Sequence, residues 1–224
     1  MLTRTSVFAA EITALPSGYT GLPRQLVEAS QRQRLVHGVT MAVAEKGLAL
    51  ATISDITQRA GVSKKTFYEH FSDKLACFLA AYDHGSMAML DQTAAAAAAA
   101  RAEGLDATAQ LRAGTHAYLE FLVFEEPYAR TFCLEMLAAG PDAVARHRAC
   151  REGFARSLQA WHDLNHPGRA LSPFHFEAAT GVVYEISTSR VAAGRAAELF
   201  DVEDDLVSAQ LAILGGDVRL DLGN

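Results

Sequence analysis

Residues 51–74, ATISDITQRAGVSKKTFYEHFSDK, leave the backbone little freedom of choice. Thr52 is placed to cap a helix at its N-terminus, with Asp55 three residues later as the acidic half of a capping box. Ile53, Ile56 and Ala60 follow at helical spacing and form its buried stripe. Gly61 supplies the left-handed backbone conformation that closes such a helix. Val62 fills the corner, and Ser63 caps a second helix about two turns long. Ser72 then caps a third, with Asp73 in a first turn that favours a carboxylate. The segment reads as helix, tight turn, helix, and the opening of another helix.

The short middle helix carries the chemistry. At 100° per residue Phe67 and Phe71 share a face and form its buried side. Lys65, Thr66 and Glu69 point away from that face, Tyr68 and His70 lie on its flanks, and Lys64 stands at its start. Donors and cations held outward on a helix anchored by two aromatic rings suit the major groove of DNA. Tyr68 is placed for one phosphate, and Lys74, beside the free N–H groups opening the next helix, for another. The competing interpretation is a solvated helical hairpin that binds nothing. Glu69 stays open between accepting from a cytosine amino group and standing clear of the DNA.

Residues 32–78 resemble the DNA-binding domain of the tetracycline-repressor (TetR) family. The resemblance runs from Arg32 through Glu45–Gly47 and TISDIT to AGVSKKTFYEHFSDKLA. It implies an all-α homodimer with an N-terminal three-helix helix-turn-helix domain and a C-terminal helical domain that binds a small effector and dimerises. Carried over position by position, the family's DNA contacts fall on Thr52, Lys64, Lys65, Thr66, Tyr68, His70 and Lys74. The expected organisation is an N-terminal arm over 1–22, the DNA-binding domain over 23–78, and the effector and dimerisation domain over 79–224.

Net charge needs reconciling with an anionic partner, because the whole chain stands at −6. Residues 1–84 hold nine Lys and Arg against seven Asp and Glu, whereas residues 85–224 hold eleven against nineteen. All four lysines fall in the first part. The asymmetry puts the anion-binding surface at the N-terminal end. With half the residues hydrophobic and 21% charged, the balance is that of a soluble globular protein. No apolar run approaches the roughly 18–20 residues that cross a bilayer. Glu11 interrupts the first apolar stretch, so no secretory signal is expected. Cys77, Cys133 and Cys150 are odd in number and lack CxxC spacing, so no disulfide framework is expected and the cytoplasm is the default compartment.

Along the chain, Pro16, Gly18 and Gly21 mark a flexible arm. In it Arg4, with Arg24 just beyond, is placed for a minor groove if the arm has a role at all. From Pro23 to Lys46 the pattern is helical, with Leu35, Val36, Val39, Ala42 and Val43 inward, and Gly47 stops it. Arg32 and Arg34 suit either phosphates or a solvated face. The helix opening at Ser72 runs into the alanines Ala94–Ala100, with Gly85 as a weak point or bend, and Gly104 closes it. Further helices are expected from Asp106 to Glu126, Pro127 to Gly140, Asp142 to Leu164, Ser172-Pro173 to Ala193, and Asp201 to Leu214. That makes about nine helices and no convincing strand.

Two further residue sets follow from the family's layout. An effector pocket is expected around His116, Tyr118, Phe121, Phe124, Tyr128, Phe132, Met136, Phe154 and Trp161, mainly apolar with a few polar groups. Ordinary core packing is the alternative for each of them. A dimer interface is expected from Phe174, Ala178, Gly181, Val182 and Ile186 with Leu206, Gln210 and Ile213, against the alternative of internal packing. His162 and His166 stand four apart, and His147 and Cys150 three apart, but neither pair has an evident third ligand, so no metal is expected. GxSxG, HExxH, P-loop and GxGxxG signatures are absent, so neither an enzyme nor a cofactor is expected. The sequence points to a dimeric regulator, most simply a repressor, binding a near-palindromic operator and released by a small hydrophobic effector. A helical module answering to a partner protein is the alternative.

Overall fold

The computed structural model describes residues 23–215, so the expected arm and Arg4 lie outside the described residues. Those residues form nine α-helices and two 3-10 segments, with no strand among them. In order the helices are α1 Arg24–Leu50, α2 Ile53–Ala60, α3 Lys64–His70, α4 Lys74–Ala102, α5 Ala107–Phe124, α6 Glu126–Glu135, α7 Pro141–Asn165, α8 Pro173–Ala192 and α9 Glu203–Ile213. The 3-10 segments, Met136–Ala138 and Ala196–Val202, take up stretches expected to be α-helical or loop.

The chain divides into two compact units. One holds the described residues up to Ala88 together with Glu125–Val144, and the other Met89–Phe124 with the described residues from Ala145. The expected boundary at residue 78 therefore falls inside α4, and the first unit recruits α6 from further along the chain.

In the first unit α1 packs on α2 and α6. Its inward stripe is the expected one: Leu35, Val36, Val39, Ala42 and Val43 are all buried. Gly38 lets α2 come close, since a Cβ there would stand 2.8 Å from the Ile56 carbonyl oxygen. Gly47 breaks α1 at φ 75° and ψ 158°, after which one further turn runs to Leu50. Gly85 differs from expectation: α4 continues through it as helix. The missing side chain instead lets the Tyr128 ring lie against α4, where a Cβ would meet ring carbon Cε2 at 1.9 Å. The Tyr128 hydroxyl lies 2.9 Å from Ser86 Oγ and donates to the Tyr82 carbonyl at 3.3 Å. Phe132 packs against Phe78, Tyr82 and Tyr128 with ring centroids 4.5 to 5.5 Å apart, the range of favourable aromatic pairs.

The second unit is built on α5, α7, α8 and α9. Leu111, Ala155, Leu158, Trp161, Phe176, Ala179, Val207 and Leu214 form an apolar cluster bordered by Ala107, Leu171, Leu211 and Ile213. Asp106 caps α5 as expected, its carboxylate accepting from Ala109 N at 2.8 Å. Ser172 precedes α8 without capping it through its side chain. Its hydroxyl turns to His175 Nδ1 at 2.9 Å instead.

Candidate nucleic-acid interface

The turn between α2 and α3 is set by local bonds. The Asp55 amide donates to Thr52 Oγ1 at 3.2 Å, and the Thr52 amide returns to Asp55 Oδ2 at 2.9 Å, which completes the capping box. The Thr52 hydroxyl also donates to Asp55 Oδ2 at 2.7 Å, and Lys46 Nζ pairs with Oδ1 at 2.6 Å. Hydrogen bonds from Lys46 and then Thr52 hold the Asp55 carboxyl far below the usual carboxylate range. Gly61 closes α2 at φ 61° and ψ 38°, the left-handed region where a side chain is strained. Ser63 Oγ then accepts from the Thr66 amide at 3.0 Å and opens α3.

Phe67 is wholly buried and Phe71 is 6% exposed, with ring centroids 5.9 Å apart. These two anchors fix which face of α3 is outward. Lys64, Lys65, Tyr68 and Glu69 are exposed there, Tyr68 by 59%. Lys65 and Glu69 stand 3.9 Å apart, one turn from each other. Glu69 thus has a cation of its own helix one turn away. The geometry is a short helix with two lysines and a phenol presented to solvent, the arrangement by which helix-turn-helix units enter a groove.

The remaining expected contacts are held differently. Thr52 is exposed, with its hydroxyl already committed to Asp55. Thr66 is half-buried and shares a 3.0 Å hydrogen bond with Ser63 Oγ. His70 is half-buried, with Nε2 3.2 Å from Gln31 Oε1. Lys74 departs furthest from expectation. Its ammonium donates to the carbonyls of Leu48 at 2.5 Å, Ala51 at 2.7 Å and Ala49 at 3.4 Å. It thus satisfies the open carbonyls left by the break at Gly47, because a helix C-terminus attracts a cation. Asp73, not Ser72, caps α4: its Oδ1 accepts from the Ala76 amide at 2.8 Å. Arg34 likewise turns inward, donating to the carbonyls of Ala60 at 3.0 Å and Gly61 at 3.3 Å. Arg32 lies over the Phe71 ring at 5.2 Å. Ser54 and Gln58, exposed one turn apart on α2, were not among the expected contacts. Their signal was their place opposite the Ile53–Ile56–Ala60 stripe.

The expected effector residues divide between the units. Tyr128, Phe132 and Met136 belong to the core of the first. In the second, Tyr118 and Phe154 meet edge to face at 5.6 Å, Phe121 is 1% exposed and Trp161 9%. Phe124 is 45% exposed. His116 is also exposed, unlike a pocket residue, and lies 2.7 Å from Glu203 while stacking on Phe200. It falls between the inward positions Thr115 and Ala117 of α5, on the side facing the acidic start of α9.

The expected dimer face also divides. On α8, Ala178, Gly181, Val182 and Ile186 are half-buried and Phe174 is 71% exposed, whereas Phe176, Ala179, Val183, Ser187 and Val191 face the unit's own core. On α9, Ile213 is half-buried and packs on the apolar cluster. Leu206 and Gln210, expected at the interface, are buried within the single subunit. Gln210 Oε1 accepts from the Thr115 hydroxyl at 2.8 Å, so its polar end is served from α5.

Among known proteins, residues 38–81 match the family model for bacterial regulatory proteins of the tetR family. The chain is 28% identical over 137 residues to the HTH-type transcriptional activator FasR of Mycolicibacterium smegmatis, an alignment covering 61% of each protein. Its fold is similar to that of the transcriptional regulator FadR from Bacillus subtilis, solved in complex with stearoyl-CoA, at TM-score 0.69 and 16% identity. That comparison covers 81% of this chain and 97% of the other. The fatty acid degradation regulator FadR from Bacillus halodurans gives TM-score 0.67 at 17% identity, over 81% of this chain and 97% of the other. At these identities the structures speak for the fold. The matched segment contains the α2–α3 turn with its buried phenylalanine pair and outward lysines. Residues 38–81 thus carry a segment like that of tetR-family regulatory proteins, and the chain shares its fold with the solved FadR regulators.

Proposed function

We propose that this protein acts as a homodimer which lays α3 of each subunit in the major groove of a near-palindromic operator and is released by a small, mainly hydrophobic effector. The observation that carries the DNA-reading role is the outward face of α3: Lys64, Lys65 and Tyr68 are exposed while Phe67 is wholly buried beneath them. Lys64, Lys65 and Tyr68 are assigned to the DNA directly, and Thr66 to the base edges at the groove floor. Thr52 and His70 border the surface, and Lys74 supports it from behind. Dimerisation through α8 is supported by its second apolar stripe, left half-open in the single subunit.

The effector belongs to the second unit and carries an acyl or similar apolar chain. Support for this class comes from the FadR structures, one of a fatty acid degradation regulator and one in complex with stearoyl-CoA. An effector releases DNA by binding more tightly to a conformation whose two α3 helices no longer match the half-site spacing. The FasR relative is named an activator, so the sign of regulation is itself an experimental outcome. Mobility shift on DNA flanking the protein's own gene, with and without acyl compounds, tests the proposal. A duplex bound at low salt and released by an acyl compound supports it. A purified dimer that shifts no flanking duplex refutes it.

A further inference from the structure

The second unit contains buried polar atoms that nothing in the subunit serves. Trp161 Nε1 and His162 Nε2 have no hydrogen-bond partner. Trp161 is 9% exposed and His162 only 1%. Their surroundings are apolar: Trp161 belongs to the cluster with Leu158, Phe176 and Ala179, and the His162 ring lies edge-on to Phe176 at 5.5 Å. Polar atoms so deeply buried are nearly always paired, and two adjacent exceptions ask for a partner from outside the chain. The amide nitrogen of neighbouring Asn165 is already committed. Asn165 Nδ2 donates to the Trp161 carbonyl at 2.8 Å and to Gln110 Oε1 at 3.0 Å.

The donor pattern restricts what fits. An indole nitrogen only donates. His162 Nδ1 faces Asp163 Oδ1 at 3.4 Å. A carboxylate only accepts, so the tautomer that uses this contact carries its proton on Nδ1 and leaves Nε2 as an acceptor. The pair therefore presents one donor and one acceptor inside an apolar cluster. Half-buried His166 borders both, with its ring 5.0 Å from His162 and 5.9 Å from Trp161. No group of three or more His, Cys, Asp or Glu among the described residues is arranged to hold a metal, so the two histidines do not point to an ion.

We propose that Trp161 and His162 are the polar anchor of the effector site, taking a neutral apolar molecule whose end carries both a hydrogen-bond donor and an acceptor. A hydroxyl, or an undissociated carboxyl, has both the acceptor that Trp161 Nε1 lacks and the donor that His162 Nε2 lacks. A thioester carbonyl only accepts: it satisfies Trp161 and leaves His162 Nε2 unmet. This inference rests on the proposal that the second unit binds a hydrophobic effector, and it specifies the end group.

The chain has one tryptophan, so the indole N–H gives a single resonance that reports on this position alone. The test titrates the full-length protein with decan-1-ol, decane and decanoyl-CoA while following that resonance, and measures DNA mobility shift on the same samples. The expected result is a saturable downfield shift with decan-1-ol, and binding of decane weaker by about tenfold or more, without the shift. Trp161→Phe keeps the shape and deletes the N–H; His162→Phe deletes the acceptor. Each is expected to reduce decan-1-ol to the level of decane, as read by competition with a fluorescent fatty acid, while ligand-free DNA binding stays intact. Equal affinity for alcohol and alkane overturns the anchor, as does an unchanged preference in both variants. Decanoyl-CoA bound as tightly as the alcohol, with the same indole shift, overturns the acceptor role of His162. A protein that shifts DNA but takes no alcohol loses the anchor alone. One that takes the alcohol and shifts no DNA loses the operator assignment alone.

Discussion

Helices α3 and α8 solve opposite problems. In α3 one face is aromatic and the other charged, so Phe67 is buried and Lys65 is out. α8 is apolar on two sides. Phe176, Ala179, Val183, Ser187 and Val191 face its own subunit, while Phe174, Ala178, Gly181, Val182 and Ile186 stay half-open or exposed. Phe174 and Phe176 are two residues apart and chemically identical, yet 71% and 2% exposed. The contrast teaches that polarity fixes the orientation of a helix, and apolar content alone does not.

Three phenylalanines provide the strongest test of that contrast. Phe67→Ala and Phe176→Ala each remove a buried ring and are expected to destabilise their units by about 3–5 kcal/mol. Phe174→Ala removes an exposed ring and is expected to change subunit stability by no more than about 0.5 kcal/mol. Under conditions that keep the protein monomeric, denaturant unfolding measures all three. A large loss for Phe174→Ala there means that α8 is oriented otherwise. The same substitution weakens association if its stripe is the dimer face, which sedimentation over a concentration series would reveal.

Where local chemistry decides a structure, the chain showed it plainly. The Thr52–Asp55 box, the Gly61 closure, the Ser63 cap and the burial of Phe67 and Phe71 all depend on residues within a few positions of each other. The all-helical fold followed from the same punctuation. Long-range choices were not visible. Gly85 looked like a bend because nothing nearby in the chain announces that the Tyr128 ring will lie there. Lys74 looked like a phosphate ligand because the carbonyls it serves, at residues 48 to 51, lie in another helix and the turn after it. Gln210 and Leu206 looked available to a partner because periodicity gives a face without saying what covers it. The effector set failed to resolve for the same reason, since aromatic content does not distinguish α6 in one unit from α7 in the other.

Gly85→Ala would sharpen the contrast at a middle scale. The added Cβ collides with the Tyr128 ring, and overpacking of this kind costs about 1–3 kcal/mol. Pairing it with Tyr128→Leu, which removes the hydroxyl and shortens the ring, is expected to recover part of the loss. A Gly85→Ala protein as stable as the parent would mean that the glycine serves the helix and not the ring.

The cations of the first unit offer a finer comparison, between those turned outward and those turned inward. Lys65→Ala is expected to reduce the slope of log affinity against log salt by about 0.9, the value for one phosphate contact on duplex DNA. Lys74→Met removes three carbonyl contacts and lowers the melting temperature, while that slope stays unchanged. A Lys74→Met protein with parental melting temperature and a reduced slope would restore the phosphate role.

The smallest effect is expected from pH, and it acts on both units in the same direction. Burial lowers the pKa of His37 in the first unit, opposed by the nearby Glu125 carboxylate. Burial lowers His147 in the second, assisted by Arg151, and lowers His166, assisted by His162 and Arg169. A group whose pKa is depressed on folding binds more protons when unfolded, so stability rises with pH across the window. The unfolded value is about 6.5. Stability is therefore complete above that value and falls as the solution is acidified through it. Denaturant melts at about pH 7.5 and 5.5 measure the difference. His37→Gln should flatten the dependence in the first unit, and His147→Gln in the second. A His37→Gln protein that retains the full acid sensitivity of the first unit would show that a different group, and not this α1 histidine near the Glu125 carboxylate, takes up the proton.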